Sequence, residues 1–185
     1  MKNLLKLLES NHTFNKIVID ANNFFEEFDY NIQLFNDNFN NFIDSLKRVD
    51  DNIQKILVAN NMNVRSLRNV TDSLCVIVGF DKFYSKLDVE HKNIFKEILN
   101  NNSEALKINF VLVDIPSSFK KYEYEEWYKN NFDLDDGIWI GYGVTQQFVL
   151  KLLLQTTKLS NIDNEYGVVI KNGMPEVVKL VNEIK

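Results

Sequence analysis

Three segments of this chain, residues 15–20, 74–80 and 107–114, carry continuous apolar runs at Ile17–Ile19, Leu74–Val78 and Phe110–Val113. A strand with one wet face alternates polar and apolar residues. A continuous run must be covered on both faces, which is the condition of a strand inside a parallel sheet. Amphipathic segments lie between them. Phe39, Phe42, Ile43, Leu46, Val49, Ile53, Ile56 and Leu57 recur at three- and four-residue spacing and draw one helical stripe. Ile94, Phe95, Ile98 and Leu99 share a second helical face, which Asp88 can cap and Asn100-Asn101-Asn102 can end. Strands alternating with helices predict an α/β fold, a mostly parallel sheet with helices on both faces.

The rest of the chain adds smaller elements. Leu4, Leu5, Leu7 and Leu8 suggest a leading amphipathic helix, and Arg65 and Arg68 fall in a polar connector. Pro116 stops the third strand. Residues 117–131 are aromatic and acidic and predict a helix with Tyr124, Trp127 and Tyr128 on one side. Asp136-Gly137-Ile138-Trp139-Ile140-Gly141-Tyr142-Gly143 holds three of the six glycines and reads as a strand entering a tight turn. Residues 147–155 are ambiguous, with strand favoured. Asn172-Gly173 between apolar runs is a strong hairpin signal, placing a C-terminal antiparallel hairpin at the edge of the sheet.

A length of 185 residues suits one domain, since about 100–200 residues per domain is usual. The net charge of −5 argues against nucleic acid, which needs a basic footprint. Cys75 is the only cysteine, so no disulfide framework exists and a reducing, cytoplasmic setting is expected. The densest apolar run, residues 148–154, is too short to span a bilayer and contains Lys151, so no membrane insertion is expected.

Chemistry has few places to sit. Asp20, Asp81 and Asp114 lie at or just past strand ends, where α/β sheets bind ligands. They could hold Mg²⁺ and a phosphorylated ligand, or simply stop strands and cap helices. The sequence has no Gly-x-x-x-x-Gly-Lys-Ser/Thr loop and no Gly-Lys pair, so nothing cradles a β/γ-phosphate. His12 and His91 are the only histidines, and with Cys75 buried no zinc set can be assembled. No cofactor or metal is expected and no catalytic residue is assigned. Tyr122, Tyr124, Trp127 and Tyr128, interleaved with glutamates, are candidates for partner contact, as are Trp139 and Tyr142.

Taken in order, Val78-Gly79-Phe80-Asp81-Lys82-Phe83, Lys121-Tyr122-Glu123-Tyr124-Glu125-Glu126-Trp127-Tyr128, the glycine-bracketed strand with Gln147, and Tyr166-Gly167-Val168-Val169-Ile170-Lys171-Asn172-Gly173 resemble the C-terminal, degenerate ATPase domain of EssC-type FtsK/SpoIIIE motors of type VII secretion. That resemblance implies a three-layer, RecA/FtsK-type P-loop NTPase-like fold without its P-loop, forming one degenerate domain over residues 1–185. It places residues 17–20 after the P-loop helix, residues 74–81 on the Walker B strand and residues 107–114 on the sensor strand. A complete motor domain has a strand and loop ahead of residues 1–10, so a fragment or a pared-down relative is expected. The implied role is non-catalytic substrate recognition and assembly at the cytosolic face of the membrane. The implied partners are secretion substrate proteins or neighbouring ATPase domains.

Overall fold

The computed structural model describes residues 14–23, 33–132, 134–154, 157–160, 162–163 and 165–180. The leading helix expected around Leu4 to Leu8, and His12, lie outside them. The chain divides into two compact units, residues 1–114 and 115–185.

In the first unit, β1 (Asn15–Asp20), β2 (Gln33–Phe35), β3 (Ser73–Val78) and β4 (Ile108–Val113) form a parallel sheet in the order β2-β1-β3-β4. Ile17 pairs with Cys75 and Cys75 with Phe110, while Val18 pairs with Val76. One face therefore carries Ile17, Ile19, Cys75 and Ile77, and the other carries Val18, Val76 and Val78. All seven are buried, which is why these strands show no alternation.

The helices are α1 (Phe39–Ala59), α2 (Phe80–Lys86) and α3 (Val89–Ala105), with a 3-10 helix (Val64–Asn69) after α1. The α1 crossover and the α2–α3 crossover run the same way across the sheet, so right-handed connections put both on one face. A chain of phenylalanines packs them there. Phe35–Phe42, Phe42–Phe83, Phe83–Phe95 and Phe95–Phe110 meet edge to face at centroid distances of 5.5, 5.3, 5.9 and 6.1 Å. Such pairs add to the burial of the rings themselves. Polar links then fix the register of α1 on α3: Lys47 Nζ lies 3.0 Å from Glu97, and Asn101 Nδ2 donates to the buried carboxylate of Asp50 at 2.9 Å.

Two boundaries differ from expectation. The run ending at Phe80 is not all strand: Gly79 takes a left-handed conformation (φ 73°) and Phe80 already begins α2. Helix α3 passes through its three asparagines to Ala105. Asn102 does not end the helix because its side chain serves the next strand. Its Oδ1 accepts the N–H groups of Lys107 and Ile108, and its Nδ2 donates to the Ile108 carbonyl. The chain then leaves the helix through Leu106, left-handed at φ 49° and 72% exposed.

The second unit holds α4 (Pro116–Lys120), α5 (Glu126–Asn131), β5 (Gly137–Ile140), α6 (Thr157–Ser160), β6 (Tyr166–Lys171) and β7 (Met174–Lys179). The hairpin forms as expected, with Asn172 and Gly173 both at positive φ. It does not edge the parallel sheet. It joins β5 in a separate antiparallel sheet, β5-β6-β7, whose inner residues Val168 and Ile170 pack on Val144, Leu159 and Ile162. The segment 147–155 is no strand over its described residues. Gln147 supplies the pairing a neighbouring strand would give: its Oε1 accepts from the N–H groups of Val149 and Leu150, and its Nε2 donates to the Leu150 carbonyl. The helix expected over 117–131 is broken into α4 and α5, with Tyr122 and Tyr124 in the turns between them.

Two predictions follow from this packing. Leu106→Gly removes left-handed strain of about 1–2 kcal/mol and restores part of it as chain entropy. The urea midpoint should rise by the equivalent of about 0.5–1 kcal/mol at unchanged slope. Asp88 accepts the His91 backbone N–H at 2.8 Å and meets the His91 ring, which hold its carboxyl below the usual range. A depressed folded pKa gives stability present above the unfolded value, about 3.9, and lost as pH falls through the folded one. The stability gap between wild type and Asp88→Asn, followed by denaturation at a series of pH values, should be constant at neutral pH and close below about pH 4.

Candidate functional site

The sheet order reverses between β1 and β3, and the crevice beyond their carboxyl ends is where such sheets place ligands. Here the described residues at the strand ends bond to one another. Asp20 ends β1 fully buried, with one carboxylate oxygen accepting the Asn22 N–H at 3.2 Å. The Asn22 side chain lies against Gly79, where an added Cβ would come within 2.6–2.8 Å of its amide group. The Lys82 ammonium donates to the Ala21 carbonyl. Asp114, just past β4, accepts the Asp81 N–H at 2.9 Å and so caps the start of α2. Asp81 and Asp114 are thus brought together as backbone donor and carboxylate. Among the described residues no group of three or more His, Cys, Asp or Glu side chains could hold a metal ion.

The expected aromatic contact residues are divided between interior and surface. Tyr122, Trp127 and Tyr128 are buried, with centroid distances of 6.0 Å for Tyr122–Trp127 and 5.9 Å for Trp127–Tyr128. Burial also pushes the Tyr128 phenol above its ordinary pKa. Tyr124 is 81% exposed, with the Lys129 ammonium 5.5 Å from its ring centroid. Tyr142 is exposed, and Trp139 is half-buried. The Trp139 indole N–H donates to the Gly141 carbonyl at 3.1 Å and the Tyr142 carbonyl at 2.9 Å. That locks the turn for which Gly141 and Gly143 supply φ values of 83° and 85°.

Beside this turn, within the second unit, lies a concavity of about 320 Å³. Phe119, Tyr128, Trp139, Phe148 and Val149 give it apolar walls, and Lys120, Glu123, Gln146 and Gln147 its polar groups. The size matches small ligand pockets or a recess for one or two partner side chains. Nothing lies within 4 Å of where a Cβ on Gly143 would sit, so that wall stays open. Phe148 is 91% exposed beside it. Sequence reading found Trp139 and Tyr128 and placed Gln147 in the glycine-bracketed stretch, but it gave no site role to Gln146, Gln147 or Phe148, the last two falling in a segment read as strand. The available signal was a phenylalanine directly after two amides and a Gly-x-Gly turn.

Cys75 is buried in β3, and desolvation pushes its thiol well above the ordinary range, so it stays protonated and inert. No helix among the described residues is long and apolar enough to cross a membrane.

The contact of Asn22 with Gly79 is testable by a double-mutant cycle. Gly79→Ala alone should cost more than the left-handed penalty of about 1–2 kcal/mol, because the methyl meets Asn22. In an Asn22→Ala background the overlap is gone, so the cost should fall by about 0.5–1 kcal/mol, read from denaturant midpoints.

No known protein-family profile matches this chain, and no curated protein matches it. Among solved structures, it is similar to the cytoplasmic domain of EssC, with a TM-score of 0.63 over 91% of its length. Sequence identity in that match is 11%, and the chain spans 34% of the EssC chain. At that identity the likeness is one of fold: this chain is built as an α/β domain in the manner of part of the EssC cytoplasmic region.

Proposed function

We propose that this chain is a non-catalytic recognition and assembly module of a type VII secretion motor, built on a degenerate, RecA/FtsK-type ATPase domain that residues 1–185 make up. The observation that carries the reading is that polar groups at the strand ends are engaged with one another. Asn22 and Lys82 sit where a ligand of such a sheet belongs, and the Asp114 carboxylate is committed to the start of α2. Residues 1–185 contain no glycine-lysine loop that would hold a phosphate beside Asp20 and Asp114. The fold shared with the EssC cytoplasmic domain supports the secretion context.

The partner-binding surface in this reading is the apolar concavity at Trp139, with Phe148 and Tyr142 exposed beside it. Secretion substrate proteins, or a neighbouring ATPase domain, place apolar side chains in it. Tyr124 adds an exposed aromatic on the same unit, while the buried Tyr122, Trp127 and Tyr128 hold the wall in place.

Two measurements test the reading together. Millimolar Mg²⁺-nucleotide should leave the thermal midpoint unchanged, since a ligand that binds the native state raises it by mass action. Titration with a candidate secretion substrate should give saturable binding, weakened about tenfold by Phe148→Ala at unchanged thermal stability. A nucleotide-dependent shift, or indifference to Phe148→Ala, overturns it.

A further inference from the structure

The amino-terminal end of the parallel sheet, opposite the crevice, carries a feature that the proposed function does not use. Two of the chain's three arginines, Arg65 and Arg68, lie on the 3-10 helix Val64–Asn69. That helix is held firmly. Leu67 is buried, the Asn63 side chain accepts the Arg65 N–H at 3.1 Å, and Ser66 Oγ donates to the Asn63 carbonyl at 2.7 Å. A 3-10 helix has three residues per turn, so Arg65 and Arg68 project from the same side. Both are exposed, and among the described residues neither is ion-paired. The nearest carboxylates along the chain are engaged elsewhere, Asp51 with Lys47 and Asp72 with Lys107. In a protein of net charge −5, Arg65 and Arg68 make a small exposed basic patch that no carboxylate among the described residues neutralises by direct pairing.

The adjoining turn places apolar side chains beside this patch. Asn61 and Met62 are both left-handed, at φ 53° and 58°, and their N–H groups donate to the Val58 and Leu57 carbonyls, which closes the end of α1. Met62 is left 53% exposed there. Val58 and Val64 are exposed on either side of it.

We propose that the 3-10 helix and the turn before it form a docking surface for an acidic helical segment of a partner protein. Arg65 and Arg68 meet two of its carboxylates, and Met62 and Val64 meet its apolar residues. The spacing fits. Residues i and i+3 of a 3-10 helix are about 6 Å apart along the axis, as are residues i and i+4 of an α-helix, also about 6 Å. A membrane surface is the poorer occupant, because lipid-binding clusters gather about four to eight cations. A nucleic acid fails for the same reason, since each phosphate contact needs its own cation. This surface does not depend on the cavity at Trp139, and either can fail alone.

The test is NMR titration of the whole chain with a short alanine-leucine helical peptide bearing two glutamates four residues apart. A twin peptide with glutamines is the comparison. Amide shifts should be confined to residues 58–69 and saturate below about 1 mM. The glutamine twin and the Arg65→Glu/Arg68→Glu variant should each bind about tenfold more weakly. Arg48→Glu, which changes net charge on α1 away from the patch, should bind as wild type does. Equal binding of the twin, shifts centred elsewhere, or no shift at about 1 mM peptide overturns the proposal. So does stronger association with phosphatidylserine vesicles than with the acidic peptide.

Discussion

Phe83 is the contact on which the first unit turns. Its ring is fully buried and meets Phe39, Phe42 and Phe95, which belong to the two long helices. It can do so only because Gly79 reverses the chain immediately after β3 and starts α2 over the sheet. One left-handed glycine thereby aims a short helix, the helix aims one ring, and the ring holds α1 and α3 against the strands. Losing such a ring typically costs about 3–5 kcal/mol, a large share of a domain's roughly 5–15 kcal/mol of stability.

The same turn shapes the chemistry. The start of α2 sits on the Asp114 carboxylate, and the Asn22 side chain closes over Gly79. Packing that stabilises the core therefore also ties the ends of β1, β3 and β4 to one another. What remains open lies elsewhere: the apolar concavity by Trp139 in the second unit, and the arginine-bearing turn at the sheet's opposite end in the first.

The parallel strands and the two long helices were legible because their signal is local. Burial on both faces writes a continuous apolar run, and one buried helical face writes a stripe. The Asn172-Gly173 hairpin was legible because left-handed turns restrict residue choice. What was not legible depended on side chains acting as backbone partners. Gln147 turns a strand-like run into a compact loop, and Asn102 carries α3 past its apparent stop. Burial of Tyr122, Trp127 and Tyr128 was equally hidden, since an acidic-aromatic pattern does not say which rings face inward. Whether the hairpin edges the main sheet or forms its own with β5 depends on long-range pairing that no local pattern encodes.

The Lys82–Ala21 link has a consequence for anyone wishing to give this fold a ligand. The ammonium and the Asn22 amide are already seated between β1 and β3, held by a carbonyl and by contact with Gly79. A phosphate loop grafted onto the chain would therefore meet these two side chains first. The resident lysine and asparagine must first be evicted, and the vacated carbonyl given a new donor.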